Sequence, residues 1–302
     1  MRNHMIPPPQ PHAAHARPAS RGSHHRTTSR PLFAVLSLAF ILLFPSCSSL
    51  GLARLNTTEQ MMWSTYLIGS EKGMGAGFVV FRRDPSEPDG VVPVIVTAAH
   101  LLDAAGKGPL FIGTRMPDEQ GGARITLVEF QPRRGAQRFY VRHPEHDIAA
   151  FELHIPTEAA SLIALPSFVD DKARAGKLLR AGEEVSFVGF PETLPEMEGL
   201  FPVLRTGRVA SYPVGSARAG GLFVINADVY PGDSGAPVYV AGRHGRPELT
   251  GMIIRRIGAD SRAFSHLAIA VESRLIRETL QLLDEPSAAT QTARNKPAAA
   301  PR

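Results

Sequence analysis

Three residue types that can carry out acyl transfer occur along this chain in the order histidine, aspartate, serine. His100 ends the apolar run VPVIVTAAH, Asp147 precedes the run IAAFEL, and Ser234 lies in the stretch PGDSGAP. A serine hydroxyl becomes a useful nucleophile when a base takes its proton, and imidazole can take and return a proton near neutral pH. A carboxylate can orient that imidazole and stabilise its protonated form. Together the three residues indicate nucleophilic catalysis.

Taken one at a time, the same residues have ordinary structural interpretations. Gly, Pro, Asp and Ser are the usual residues of surface turns, which would account for PGDSGAP. A histidine at the end of a buried strand is often a polar terminus, and an aspartate before a strand is often a turn residue. The choice depends on the elements that surround them.

Short β-branched and aromatic runs, separated by turn residues, fill the chain between Trp63 and Val271. The clearest runs are 77–81, 91–97, 124–130, 148–153, 184–190, 222–227, 236–240 and 249–254. This pattern predicts an all-β barrel or sandwich. The charged stretch 170–184 divides the runs into two groups and is interpreted as a solvated connection. A helical period appears only near the end, with Val271, Leu275, Thr279 and Leu283 spaced four residues apart.

In this order, the motifs TAAH, HDIAAFEL and PGDSGAP resemble those of the trypsin-like (chymotrypsin-fold) serine proteases, particularly the bacterial members without disulfides. Further fragments resemble strands of that fold: GMGAGFVV (73–80), GEEVSFVGFP (182–191), RTGRVAS (205–211) and LTGMII (249–254). The resemblance covers about residues 63–284. It implies an all-β fold of two six-stranded antiparallel Greek-key β-barrels, 63–166 and 178–271, followed by a helix, 272–284.

The resemblance also implies a function, that of a serine endopeptidase acting on polypeptides through an acyl-enzyme. His100 would be the base, Asp147 the orienting acid and Ser234 the nucleophile, with the Gly232 and Ser234 amides forming the oxyanion hole. No metal or organic cofactor is implied. The alternative is a catalytically silent or latent lipoprotein that uses the protease fold as a binding module. Such proteins usually lose a triad residue or the glycine before the serine, and all of these are present here.

Two positions around the serine need a structural explanation. Ala236 stands where the family usually has a second glycine. Asp233 matches the trypsin branch, whose acid is paired by an N-terminal amine freed on activation. No activation site is evident upstream, so Asp233 needs another partner or solvent, because a buried unpaired carboxylate is costly.

Substrate preference has two interpretations at this stage. Asp228 lies six residues before Ser234, where the family's primary pocket has its base, and an acid there would favour Lys or Arg side chains. The alternative is a loop aspartate that faces water. Arg255 and Arg256 follow the presumed substrate strand and would oppose a preference for Lys or Arg side chains.

The remaining histidines suggest no strong metal site. His143 and His146 stand close to Asp147 in HPEHD, and a His-x-x-His spacing can indicate zinc. Without a further ligand motif, loop histidines near the triad aspartate are the favoured interpretation. The others have no partner motif and are interpreted as structural or surface residues: His154, His244 and His266.

The positive charge of the chain is confined to its N-terminal leader. The 302 residues include 33 basic and 28 acidic side chains, a net charge of +5. Residues 1–46 hold five arginines and no acid, so removing them from the 33 leaves 28 basic residues against 28 acidic ones. The rest of the chain has no basic excess, which excludes a nucleic-acid-binding interpretation.

The leader, residues 1–46, has the pattern of a signal peptide. Its apolar run, 32–44, is shorter than the roughly 20 residues that a transmembrane helix needs. Cys47 follows in LFPSCSS, which resembles a bacterial lipobox, although Phe44 and Pro45 depart from the usual residues. An uncleaved anchor or a chance cysteine are the alternatives. Cys47 is the only cysteine, so no intramolecular disulfide can form.

These features predict an extracytoplasmic protein of the bacterial cell envelope, held to a membrane by an N-terminal lipid anchor. Residues 47–62 are predicted to be a tether, and residues 285–302, rich in Ala, Pro and Thr, a disordered tail. The sequence indicates no oligomeric state.

Overall fold

The computed structural model describes residues 55–83, 90–118, 123–155, 167–168, 179–192, 201–214, 220–242, 247–258 and 265–284. The predictions for the leader, Cys47, His244 and the tail lie outside these residues, as does most of the charged connection. Within the described ranges, no helix combines the length and the apolar character needed to cross a membrane.

The described residues form mainly strands. The first group of strands is β1 Thr65–Ser70, β2 Gly73–Arg83, β3 Val91–Thr97, β4 Leu110–Pro117, β5 Ala123–Phe130, β6 Arg133–Arg134, β7 Gln137–Arg138, β8 Val141–Arg142 and β9 Ala149–Glu152. The second group is β10 Ser167–Phe168, β11 Glu184–Gly189, β12 Val203–Val209, β13 Leu222–Val229, β14 Pro237–Ala241, β15 Pro247–Arg256 and β16 Ser265–Glu272. The helices are α1 Thr57–Trp63, α2 Ala99–Ala105 and α3 Ser273–Gln281.

The second group of strands closes into a barrel. Its strand order is β10-β15-β14-β11-β12-β13-β16, and β15 also pairs with β16, which closes a ring of six antiparallel strands. The short β10 pairs with β15 in parallel outside this ring. Apolar side chains of alternate residues fill the interior, among them Phe187, Phe223, Ile225 and Val238. The predicted all-β, chymotrypsin-like architecture is confirmed.

The first group forms an antiparallel sheet in the order β5-β4-β1-β2-β3-β9-β8. It has seven strands where six were predicted, because the two-residue β8 adds to the edge of β9. Its own apolar core contains Tyr66, Ile95, Leu102 and Phe151. Both β3 and β9 belong to this sheet, and they lead to and from the predicted catalytic residues His100 and Asp147.

A third apolar cluster joins the two groups of strands to the C-terminal helix. Phe78 and Val96 from the first sheet pack with Met252 from the second barrel and with Leu275 from α3. Burying apolar surface stabilises by about 25 cal/mol per Å². The cluster therefore fixes the groove between the two groups of strands, where the predicted site lies.

The predicted tether, 47–62, is wrong in its second half. Residues from Thr57 form α1, which begins with a capping box: Asn56 Oδ1 accepts a hydrogen bond from the Glu59 amide (2.9 Å), and Glu59 Oε2 accepts one from the Asn56 amide (2.7 Å). Met61 and Trp63 are buried. The short helix therefore belongs to the folded domain.

Candidate active site

A cleft of about 300 Å³ brings the three predicted catalytic residues together. His100 and Asp147 of the first sheet and Ser234 of the second barrel all lie in its wall. The rest of the wall is formed by residues 229–231 and 253–256 of the second barrel. A concave site with a few convergent polar groups is the usual form of a substrate site.

His100 is fixed to Asp147 by two contacts. It lies in the first turn of α2, directly after β3, and its backbone amide donates to Asp147 Oδ1 at 2.8 Å. The ring contact runs from His100 Nδ1 to Asp147 Oδ2 at 2.6 Å. Since a carboxylate only accepts, Nδ1 carries the hydrogen and the other ring nitrogen, Nε2, is left as a base.

Asp147 is held in its ionised form. Burial alone would raise its pKa, but the hydrogen bonds from the His100 ring and amide, with the charges of His100 and Arg142, lower the pKa below 3.8. The carboxylate therefore carries its charge at neutral pH. It can stabilise the imidazolium that forms when His100 accepts a proton.

The loop that carries Asp147 is organised by a buried histidine. His143 Nδ1 accepts hydrogen bonds from the amides of Glu145 and His146, both at 3.1 Å. Its Nε2 lies 3.5 Å from Glu278 Oε2 of α3. The histidine thus supports the loop from inside and connects it to the C-terminal helix.

The same contacts define the role of the HPEHD histidines. Burial lowers the pKa of His146, and its closeness to the His143 ring acts in the same direction. Nowhere in the described ranges do three His, Cys, Asp or Glu side chains gather as a metal ion would require. The structure therefore gives His143 a structural contact and brings no metal-ligating set together around it.

Ser234 is held by both groups of strands. Its carbonyl oxygen accepts a hydrogen bond from the Ala76 amide of β2 at 2.7 Å, and Thr97 Oγ1 donates to the Ala76 carbonyl at 2.7 Å. The next amide, that of Gly235, donates to Ile253 O of β15 at 2.8 Å. Ala76 therefore connects Ser234 to the end of the strand that leads to His100.

The corner at Gly232 requires glycine. Its φ is +95°, and a Cβ there would lie 1.9 Å from the carbonyl oxygen of Phe190. Within the part of the chain that the structure describes, neither the Gly232 amide nor the Ser234 amide donates to a protein acceptor. Neither amide is thus committed to another acceptor, which the predicted oxyanion hole requires, although Gly232 is buried and is not part of the described cleft wall.

Ser234 Oγ and the His100 ring share the cleft without a direct hydrogen bond among the described residues. Such contacts often tighten only when substrate binds.

Comparison with known families identifies the domain. The family model described as "Trypsin-like peptidase domain" matches residues 75–246, more than half of the chain. The chain belongs to this family of trypsin-like peptidases. It is a serine peptidase, as the sequence predicted.

Solved structures similar to this trypsin-like peptidase include two of one protein. The crystal structure of Rv3671c protease in an inactive form has 18% identity and a TM-score of 0.46, and the match covers 78% of this chain and 96% of the other. A serine-to-alanine mutant of Rv3671c from M. tuberculosis H37Rv, also in an inactive form, has 16% identity and a TM-score of 0.43, with coverages of 82% and 96%. No curated protein matches the chain. The family membership rests on the domain model alone.

In this trypsin-like peptidase, Asp233 has an internal partner. Its side chain is fully buried, and Arg205 of β12 binds both carboxylate oxygens, with Nη1 2.7 Å from Oδ2 and Nη2 bonded to Oδ1. The Tyr230 amide also donates to Oδ2, at 2.7 Å. Burial raises the pKa of Asp233, and the Arg205 pair opposes that rise. The partner that the sequence left open is Arg205.

Arg205 was not predicted as a site residue, although the sequence contains a signal for it. On β12 it alternates with exposed neighbours and shares the inward face with Val203 and Val209. Its guanidinium also lies 4.7 Å from the centre of the Phe187 ring. An arginine on an inward-facing strand position needs a carboxylate nearby, and Asp233 is that carboxylate.

Asp228 is not brought into the cleft. Its Oδ1 lies 2.7 Å from His266 Nδ1 of β16, and the two side chains are 63% and 72% exposed. The reason is strand alternation: β13 continues to Val229, so Ala227 and Val229 point inward and Asp228 points outward. The structure thus supplies no acidic base for the pocket at this position.

Proposed function

We propose that this trypsin-like peptidase is a serine endopeptidase that cleaves polypeptides through an acyl-enzyme, with His100, Asp147 and Ser234 as its catalytic triad. The observation that carries the proposal is the double contact between His100 and Asp147, at 2.6 and 2.8 Å, in the wall of the cleft that contains Ser234. Because Asp147 engages Nδ1, His100 Nε2 stays free of the carboxylate and can act as the base for Ser234 in the same cleft.

The reaction has two stages. Ser234 Oγ bonds to the scissile carbonyl carbon while His100 Nε2 takes the hydroxyl proton, and the carbonyl electrons move to the oxygen. The tetrahedral intermediate then loses the amine as the C–N bond breaks, and His100 returns the proton to the amine nitrogen. Water repeats the sequence on the acyl-enzyme, releasing the acid and regenerating Ser234.

The amides of Gly232 and Ser234 are proposed to stabilise the charge that develops on the carbonyl oxygen. Each preorganised donor of this kind contributes about 3–4 kcal/mol to the transition state. The positive φ of Gly232 and its close approach to Phe190 O support a fixed corner rather than a mobile turn.

The internal Arg205–Asp233 pair supports activity without proteolytic activation. Asp233 already has a bidentate cation beneath the nucleophile corner, so no newly freed N-terminal amine is needed to form it. We therefore propose that the enzyme is active once its leader is removed and that no further cleavage is needed.

We also propose that the enzyme acts outside the cytoplasm and is anchored in the bacterial cell envelope by lipidated Cys47. The support is the signal-like leader and the LFPSCSS motif. Wild type and Cys47→Ser should partition differently between membrane and soluble fractions on a gel. Identical partitioning would contradict the anchor.

A fluorophosphonate probe tests the nucleophile. Wild-type protein and Ser234→Ala are treated with the probe, and covalent labelling is followed by intact mass, with circular dichroism to show that both are folded. One label on wild type and none on Ser234→Ala is the expected result. A folded wild-type protein that takes no label would contradict the proposal and favour a silent protease-fold binding module.

A further inference from the structure

The described wall of the cleft contains more basic than acidic side chains. The described wall contains one acid, Asp147, and two arginines, Arg255 and Arg256. Both oxygens of Asp147 are already engaged by the ring and the amide of His100, at 2.6 and 2.8 Å. The one carboxylate is thus committed to orienting the base and is not available to a cationic substrate side chain.

The two arginines lie at the end of β15, directly after Ile253 and Ile254, which also line the cleft. Arg255 is exposed and Arg256 is half-buried. Burial raises the pKa of Asp233, and the charge of Arg256 is among the effects that oppose the rise, so this charge acts close to the nucleophile corner. The apolar floor of the cleft therefore ends in a strongly basic segment.

Nearby acids of the described residues are engaged elsewhere or lie outside the wall, and none of them pairs with Arg255. Asp228 faces away and contacts His266, and Asp233 is fully buried against Arg205. Glu192 donates its amide to Pro231 O at 3.0 Å, but its exposed side chain is not part of the described cleft wall. Among the described residues, the exposed guanidinium of Arg255 has no carboxylate partner and is thus available to a substrate.

We propose that the cleft selects polypeptides with an aspartate or glutamate side chain close to the scissile bond, and that Arg255 is the residue that determines this preference. The proposal rests on the proposed endopeptidase function and names its substrate class. A guanidinium can bind a carboxylate through two parallel N–H···O bonds. A lysine or arginine side chain in the same place would meet like charge and be disfavoured.

The test uses three peptides that differ at one residue beside the scissile bond: Glu, Gln or Lys. Hydrolysis is measured as kcat/KM with the wild type, and binding is measured by fluorescence anisotropy with Ser234→Ala, which needs no turnover. Arg255→Gln is introduced into both proteins. Arg124→Gln, an exposed arginine on β5 outside the cleft, is the matched control.

The Glu peptide is expected to be favoured over the Gln peptide by about tenfold, which corresponds to one good charge-assisted hydrogen bond in a partly exposed site. Arg255→Gln should remove this preference, and Arg124→Gln, outside the cleft, should retain both the preference and the fluorophosphonate labelling of the wild type. Raising the salt from about 50 mM to about 500 mM should reduce the preference, because the Debye length shortens.

The outcomes separate this inference from the function on which it rests. Equal kcat/KM values for the three peptides, or a higher value for the Lys peptide, would overturn the acidic preference even if hydrolysis is efficient. A Glu preference that survives Arg255→Gln would overturn the role of Arg255. Selective binding of the Glu peptide without any hydrolysis would support the inference and contradict the endopeptidase. Binding of none of the peptides would overturn it.

Discussion

Two histidine–aspartate pairs with nearly the same contact distance occupy different settings in this molecule. His100 Nδ1 lies 2.6 Å from Asp147, and His266 Nδ1 lies 2.7 Å from Asp228. The first pair has side-chain exposures of 45% and 27%, and the second 72% and 63%. Asp147 also accepts the His100 amide, a second contact that fixes the aspartate relative to the ring.

The difference shows that two His–Asp contacts of nearly equal length can have very different support from the rest of the structure. The first pair is supported by the His143 loop and shares the cleft wall with Ser234, whose corner is held by hydrogen bonds and a buried ion pair. The second pair joins two exposed side chains on adjacent strands, where solvent and side-chain entropy leave little net energy. Supporting contacts, rather than the pair distance, distinguish the two.

The largest expected effect is on the first pair. Asp147→Asn should lower kcat by about 10⁴-fold with little change in fold, because the amide favours the wrong tautomer of the His100 ring. Steady-state hydrolysis of a peptide or ester, with circular dichroism as a folding control, measures this loss. A loss of less than tenfold would remove Asp147 from the triad.

The next-largest effect is expected at the Arg205–Asp233 ion pair beneath the Ser234 corner. This pair is buried, unlike the exposed His266–Asp228 pair. Arg205→Met should lower the free energy of unfolding by about 3–5 kcal/mol, because it leaves the buried Asp233 carboxylate without its cation. Urea unfolding measures the change.

Arg208→Met is the matched control on the same strand, because its ion pair with Glu184 is long, 3.5 Å, and exposed. That change should cost no more than about 1 kcal/mol. Adding Asp233→Asn to Arg205→Met should recover part of the loss. If the two arginine variants are equally stable, the buried pair does not hold the corner.

A smaller effect is expected for the support of the Asp147 loop. His143→Phe keeps a ring but removes the acceptor of the Glu145 and His146 amides. The free energy of unfolding should fall by about 1–3 kcal/mol. Hydrogen exchange should become faster at those two amides. His154→Phe, an exposed histidine, should stay within about 0.5 kcal/mol of wild type. Unchanged exchange in His143→Phe would contradict the loop's dependence on His143.

The pH dependence of stability sharpens the contrast further. The pKa of Asp147 is lower in the folded protein than its ordinary value of 3.8, so folding favours the ionised form. Its contribution is present above about pH 4 and is lost as the pH falls through the folded-state pKa. The difference in the free energy of unfolding between wild type and Asp147→Asn should therefore narrow as the pH falls below about 4.

The same titration can be repeated with His100→Ala as the background. In the His100→Ala background, the stability difference caused by Asp147→Asn should decrease less in acid, because His100 supplies the hydrogen bonds that lower the pKa of Asp147. If the stability difference between wild type and Asp147→Asn widened as the pH fell below about 4, the direction of the pKa shift of Asp147 would be contradicted.

The smallest effect is expected at the second pair. Asp228→Asn should change kcat/KM by no more than about twofold for any peptide, because an exposed ion pair contributes about 0–1 kcal/mol and lies outside the described cleft wall. The comparison should include a peptide with lysine beside the scissile bond. A large, selective loss on that peptide would mean that Asp228 binds the substrate after all.

The sequence contained enough information to predict the architecture and the three residues of the cleft. Alternation and turn residues indicated β3 and β9, and the motifs around His100, Asp147 and Ser234 indicated their roles. Helix α1 was missed because its signal is a single capping box, Asn56 to Glu59, in an otherwise patternless stretch.

The remaining differences come from tertiary contacts. Arg205 and Asp233 are 28 residues apart in the chain, and only the barrel brings them together. Asp228 was assigned to the pocket because it lies six residues before Ser234, while the apolar run of its strand was read only as far as Ala227. Once the strand extends to Val229, alternation alone directs Asp228 outward.

The central claim is that Ser234 is acylated with the help of the His100–Asp147 pair and not of the His266–Asp228 pair. A p-nitrophenyl ester measures this directly, through the pre-steady-state burst of nitrophenolate and the mass of the acylated peptide that contains Ser234. About one equivalent of burst is expected for wild type and Asp228→Asn, a burst slowed by about 10⁴-fold for Asp147→Asn, and none for Ser234→Ala. An acyl group on another residue, or an equal burst rate in Asp147→Asn and wild type, would contradict it.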